Sequence, residues 1–305
     1  MRARRSNIGS RLKVVVGLAL AAMLSSAQAL KVDMYAIGNW SAGNCAPGDV
    51  DSNRTSWPGM AQAWYDGMGI MGETKTGKFV DGNMTVTRFC DPSSKAGCHD
   101  ASFVDWPDAA IVAAHGYDAG NGWGALMRNS ALGTCSLVMG AGASGSTFVG
   151  DNRLKFLHAS SCLSLNDNYF SNMRVAMKKP GTSKGLHVMT GFHGVMFITA
   201  SFNGNYLNTA ILGHAVPVST AWVTQHYKSN QFSCAAYDPF NWFGTCQDQC
   251  PTAMTIGASG SAALNRLLHE RYNNTGTFGS PGGRSYYAWM GYLGCDPVAQ
   301  DGFNP

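Results

Sequence analysis

Charge is scarce in this chain. Asp, Glu, Lys and Arg make up 13% of the 305 residues, while 45% are apolar. That balance excludes a disordered polyelectrolyte and supports a packed interior. Apolar runs of membrane length are missing beyond residue 29, so no later segment is expected to span a bilayer. Charge of one sign is missing too. Five of the 22 Lys+Arg residues fall within residues 1–29, leaving 17 against 18 Asp+Glu, a net of −1. Nothing in that balance offers a basic surface to nucleic acid or to an anionic membrane. The glycine-rich run Gly140–Gly145 lacks the lysine and helix that complete a phosphate loop. No HExxH pair is present to go with His115, His187 and His193 as zinc ligands, and Cys246-x-x-x-Cys250 has no second ligand pair beside it. No metal and no cofactor are expected. There is no internal repeat and no long linker.

What the first residues do contain is a basic start (Arg2, Arg4, Arg5, Arg11, Lys13), an apolar stretch from Val14 to Leu24, and the small-residue triplet Ala27-Gln28-Ala29. This order predicts a secretory signal peptide over residues 1–29 with cleavage after Ala29. Residues 30–305 are then one exported domain, secreted or periplasmic, with no membrane attachment once the signal is removed. Nine cysteines fit an oxidising compartment, and an odd number leaves at least one thiol over. Cys90 and Cys98 bracket a short polar loop that a disulfide could close, and Cys246 and Cys250 bracket another. Cys45, Cys135, Cys234 and Cys295 lie in Gly- or Pro-rich surroundings suited to bridges whose partners the sequence leaves open.

Alternating strand and helix signals predict an α/β, three-layer α/β/α sandwich with a mostly parallel sheet. Strands are expected at Val32–Ile37, Thr85–Phe89, Ala109–Ala114, Leu154–Ser161, Gly185–Phe192 and Tyr286–Leu293. Ala109–Ala114 has no polar alternation, as befits a strand covered on both faces. Helices are expected from Ser56 to Tyr65, from Asn168 to Lys178 with Asn166 or Asp167 as cap, from Tyr206 to Tyr227 with a bend at Pro217, and from Ser261 to Tyr272. Residues 117–124 read as a flexible stretch.

Cys162 differs from the other cysteines in ending a core strand. Forty-seven residues earlier, Ala109–Ala114 ends in His115-Gly116. Ligands of parallel sheets gather at the carboxyl ends of the strands. An imidazole and a thiol placed there supply the acid–base group and the nucleophile of thiol catalysis. Gly116, without a side chain, lets a substrate approach its N–H, which with that of Cys162 suits an oxyanion hole.

The pattern Ala113-Ala114-His115-Gly116, then Leu157-His158-Ala159-Ser160-Ser161-Cys162-Leu163-Ser164-Leu165, then Gly185-Leu186-His187 and Gly191-Phe192-His193, resembles the caspase, gingipain and legumain group of cysteine peptidases. Within that group it is similar to a poorly described set of secreted bacterial caspase-like proteins. The resemblance spans roughly residues 105–225. It implies a caspase-like sheet, His115 as general acid/base, Cys162 as nucleophile, Gly116 in the oxyanion hole, and a peptide or protein substrate. Ser160-Ser161-Cys162-Leu163-Ser164 departs from the Gln-Ala-Cys-x-Gly of caspases. Asp118, Trp123, Asp167 and His193 are expected around a substrate pocket. His193 is also a rival base, with Asn203 or Asn205 as a third member. The reading of another class is a secreted binding or adhesion protein on the same scaffold, with Cys162 inert.

Overall fold

The Ala109–Ala114 and Leu154–Ser161 blocks become central strands. The computed structural model describes residues 28–45, 53–140, 149–179, 181–229, 248–282, 285–292, 295 and 301–304. Strands are β1 (Lys31–Ala36), β2 (Thr74–Val80), β3 (Ala109–Ala113), β4 (Gly116–Asp118), β5 (Gly122–Ala131), β6 (Thr134–Gly140), β7 (Phe156–Ser160), β8 (Val188–Phe192), β9 (Pro251–Gly257), β10 (Tyr286–Gly291) and β11 (Asp301–Asn304). Among the described residues, eight of them form one sheet in the order β2-β1-β3-β7-β8-β9-β10-β11. The first five run parallel, and β9, β10 and β11 pair antiparallel. Every residue of β3, β7, β8 and β9 is buried, as expected for strands sandwiched between layers.

Helices α1 (Trp57–Ile70), α3 (Asn203–Leu212), α4 (Val218–His226) and α5 (Gly260–His269) cover one face. The opposite face carries α2 (Phe170–Ala176) and a small antiparallel sheet of β4, β5 and β6. The fold class is therefore a three-layer α/β sandwich with a mostly parallel sheet. Fully buried Trp40, Trp57, Trp64, Trp222, Phe156, Phe192, Met34 and Ile37 fill the interior. Each large aliphatic or Phe side chain removed from water stabilises by roughly 1.5–3 kcal/mol.

Local chemistry explains several boundaries. Pro58 occupies the first turn of α1, where its missing N–H costs nothing. Asn166, the alternative to Asp167 as cap, accepts from the Asn168 N–H (3.0 Å) ahead of α2. Ser259 caps α5 through the Ala262 N–H (3.1 Å).

Some expectations are corrected. The helix expected from Tyr206 to Tyr227 is two helices, because Pro217 precedes α4 in extended backbone (ψ 139°). Thr85–Phe89 is not a strand. Its alternation of buried Val86 and Phe89 arises in a tight 3₁₀ turn whose Phe89 N–H donates to the Val86 carbonyl. Residues 117–124 fall largely in β4 and β5.

Among the described residues, three disulfides join Cys45 to Cys135, Cys90 to Cys98, and Cys250 to Cys295. The second matches the expected loop closure. The third overturns the Cys246–Cys250 pairing, since Cys250 is taken by Cys295. Cys234 and Cys246 lie outside the described residues, as do residues 1–27 of the expected signal and most of Gly140–Gly145. Among the described residues, no helix is long and apolar enough to cross a membrane.

Candidate active site at the carboxyl edge of the sheet

Strands β3 and β7 lie side by side in parallel register, with Ala113 opposite Ser160. Two residues past these strand ends come His115, which packs on Trp57 of α1, and Cys162, which lies near Tyr206 and Arg54 on that same face. The approach is close. A Cβ on Gly116 would sit 2.0 Å from the Cys162 carbonyl oxygen and 2.3 Å from Ser161 Oγ. Only glycine lets the two strand ends touch in this way.

The imidazole of His115 is half-buried between two indoles, its ring centroid 4.4 Å from Trp40 and 5.1 Å from Trp57. Its carbonyl accepts from the Leu126 N–H at 2.9 Å, which ties the start of the small sheet to the end of β3. Trp57 reaches across to β7, where its indole N–H donates to Ser160 Oγ at 3.3 Å. Ser160 Oγ also sits 2.6 Å from Tyr206 Oη. One buried tryptophan thus braces both the histidine and the strand that carries the cysteine.

Cys162 is the free cysteine among the described residues. Its Sγ accepts from the Met196 N–H at 3.4 Å. The residue keeps some exposure, yet burial of the thiol pushes its pKa up. The Met196 and Cys162 N–H groups and the positive charge of Arg54 pull the other way. The thiol, not the thiolate, is the resting form.

The loop after Cys162 is pinned throughout. Leu163 has a positive φ (55°), an unfavourable conformation for a branched side chain. It is held there because its N–H donates to the Gly194 carbonyl (2.9 Å) and its carbonyl accepts from the Tyr169 hydroxyl. Ser164 Oγ donates to the Ala159 and Ser161 carbonyls and accepts from the Phe192 N–H (2.9 Å). Gly191 leaves the room Ser164 needs, since a Cβ there would come within 2.3 Å of Ser164 Oγ. The departure from the caspase-type sequence around the cysteine is thus a serine-built loop.

The remaining expected site residues separate. Trp123 is no pocket wall: it is 1% exposed, and its indole N–H donates to Ser161 Oγ (3.0 Å) from the opposite layer. It supports the loop from behind. His193 is no rival base. Thr190 shares the α1 face with His158, whose Nδ1 it meets at 2.7 Å, so alternation turns His193 to the other face. There its Nε2 is 2.9 Å from Asp167. Asn203 opens α3 and Asn205 donates to the Gln225 carbonyl, which leaves neither as a third member beside His193. Asp167 is partly exposed at the start of the turn before α2. Asp118 is exposed on β4, close enough to help burial raise the Tyr169 phenol pKa. Tyr169 in turn holds Leu163, so Asp118 stands at the rim of the cysteine loop. His187 precedes β8 and His193 follows it, so the zinc triad with His115 is not assembled. His187 instead meets Glu270 at 2.6 Å. Two cavities of about 410 Å³, lined in common by Asp108, Arg153 and Lys155, open at the opposite, amino end of the central strands.

Trp40, Trp57, Arg54 and Tyr206 were not marked by the sequence. They come from three distant segments and carry no motif. For Trp40 and Trp57 the one signal is the residue type itself, which a buried site uses when its N–H has a partner.

The fold and this edge define a three-layer α/β protein presenting an imidazole and a reduced cysteine on adjacent strands. Residues 41–275 match the family described as a domain of unknown function (DUF6345), and the chain belongs to that family. No curated protein and no solved structure matches it.

Proposed function

We propose that the protein is an exported cysteine peptidase that cleaves peptide bonds through Cys162 and His115. The observation that carries this reading is the contact of Gly116 with the Cys162 backbone, which sets the His115 and Cys162 strand ends side by side. In this reading His115 takes the Sγ proton as sulfur attacks the substrate carbonyl carbon. Negative charge gathers on the carbonyl oxygen, and the N–H groups of Gly116 and Cys162 are the donors proposed to meet it. The carbon–nitrogen bond then breaks, His115 gives its proton to the departing amine, and a thioester remains on Cys162. Water, deprotonated by His115, hydrolyses the thioester and restores the thiol. The raised thiol pKa fits a base-assisted attack rather than a standing thiolate. Asp118, exposed at the rim, is suited to a basic substrate side chain. Export is the setting proposed for it: three disulfides suit an oxidising compartment, and the basic and apolar start of the chain suits a cleaved leader.

A second reading, a binding protein on the same scaffold, is favoured by that same protonated and shielded thiol. One experiment separates the two. Iodoacetamide or a peptidyl electrophile applied to the protein at pH 8 is expected to modify Cys162, found by peptide mapping. Cys162→Ala is expected to abolish hydrolysis of a mixed peptide library, by at least about 10³-fold. An unlabelled Cys162, or hydrolysis unchanged in Cys162→Ala, would leave the binding protein.

A further inference from the structure

A second cluster, independent of the thiol reading, lies beneath the opposite face. Asp91 and Asp100 flank the Cys90–Cys98 disulfide, and Asp151 comes from the segment leading into β7. These three each bring a carboxylate oxygen within 4.8 Å of the others. Asp105 lies beside them and is fully buried, as Asp91 and Asp100 are at 0% and 1% exposure. Four carboxylates therefore share one buried neighbourhood. Lys179 stands against them, its Nζ 2.7 Å from Asp91 and 3.0 Å from Asp151. With every carboxylate ionised, this group would carry a net charge of −3.

Most of the oxygens have work. Asp105 accepts from the Gly150 and Asp151 N–H groups (2.7 and 3.1 Å). Asp91 Oδ1 accepts from the N–H and hydroxyl of Ser93. Asp100 Oδ1 accepts from the Ala101 N–H at 2.7 Å. Asp100 Oδ2 is different: it is buried and has no hydrogen-bond partner. A buried carboxylate oxygen without a partner, set among two further carboxylates, is costly unless a cation meets it.

We propose that Asp91, Asp100 and Asp151 bind a calcium ion, with Asp105 positioning Asp151 by holding its N–H. The donor set is oxygen alone, because Cys90 and Cys98 are locked in a disulfide, which argues against zinc. The ligands come from loops and one short 3₁₀ turn on two segments. That suits calcium, which accepts six to eight oxygens in flexible geometry, better than magnesium, which demands a near-ideal octahedron. Lys179 neutralises one charge and the ion takes two more. Asp151, 15% exposed, gives the route in from solvent. The ion would tie the disulfide loop to the segment that enters β7, the strand that ends at the cysteine.

The test is thermal unfolding and titration calorimetry of the full chain after EDTA and buffer exchange, at pH 7.5, with calcium chloride as the probe. Saturating calcium is expected to raise Tm by about 5 °C and to release heat with one-site stoichiometry. Asp100→Asn, which keeps the Oδ1 acceptor, and Asp151→Asn, which is partly exposed and tolerant, are each expected to remove the shift. Asp66→Asn, on the surface beside Lys75, is expected to keep it. No shift and no heat in the unmutated chain at millimolar calcium would overturn the proposal. So would a shift that survives in both cluster variants, or magnesium acting at lower concentration than calcium.

Discussion

Gly116 shows how much one missing methyl group can decide. The contact between its Cα and the Cys162 carbonyl leaves no space for a Cβ, which would lie at 2.0 Å from backbone that cannot rotate away. Gly116→Ala must therefore push β3 and β7 apart where they end. Overpacking of this kind costs about 2 kcal/mol. The expected outcome is a lower urea midpoint at unchanged m-value, together with loss of Cys162 labelling by a peptidyl electrophile. Normal stability and labelling in this variant would mean that the strand ends do not meet. The residues at this point were readable in advance because type and position agreed: a histidine, a glycine and a cysteine closing two largely apolar blocks. Arg54, Trp40 and Trp57 were not readable, since only folding brings the segment after β1 over the end of β3.

At the scale of elements, burial governs what the sequence disclosed. β3 and β7 were legible because both faces are covered, β3 carries no polar residue and β7 no charged one. β2 was not, because TKTGKFV is a half-exposed edge strand with little apolar content. β9 begins with Pro251, which a strand tolerates in its first position but which reads as a break. The small sheet was hidden by its own glycines. Gly122 and Gly124 are there because a Cβ would strike the Met139 carbonyl (2.1 Å) or the Tyr117 ring (2.3 Å), not because the chain is loose. That small sheet is anchored by the Cys45–Cys135 bridge, which closes a loop of 90 residues and links β6 to the stretch that follows Trp40. Removing it as Cys45→Ala/Cys135→Ala is expected to cost about 4 kcal/mol, read as a shift of the guanidinium midpoint. Because Trp40 packs on His115, the same variant is expected to lose peptide hydrolysis before it loses the main sheet, as followed by far-ultraviolet circular dichroism.

For the whole molecule, buried neutral histidines set the acid limit. Tyr272 accepts from the Trp64 indole N–H (3.3 Å), so its own proton goes to His158 Nε2 (2.7 Å), and His158 Nδ1–H donates to Thr190 Oγ1 (2.7 Å). This ring has every hydrogen bond it can make while uncharged. Burial pulls its pKa down to about 3, and burial likewise lowers His187 and His226. A base whose folded pKa lies below its unfolded value near 6.5 contributes stability that is complete above pH 6.5. That stability is lost as pH falls from 6.5 toward 3. His158 alone should cost about 2 kcal/mol at pH 5. His158→Gln is expected to flatten the stability–pH curve between pH 6.5 and 4 relative to the unmutated chain, as measured by urea unfolding. An identical acid limb in both would show that His158 is protonated in the native state.

The edge strand has its own bearing on how the protein survives among its copies. Among the described residues β2 ends the eight-stranded sheet, and it carries Lys75, paired with Asp66 of α1, and the exposed Lys78. Charged side chains on an edge strand discourage another chain from adding to the sheet. The lysines thus make that rim a poor template for an identical neighbour.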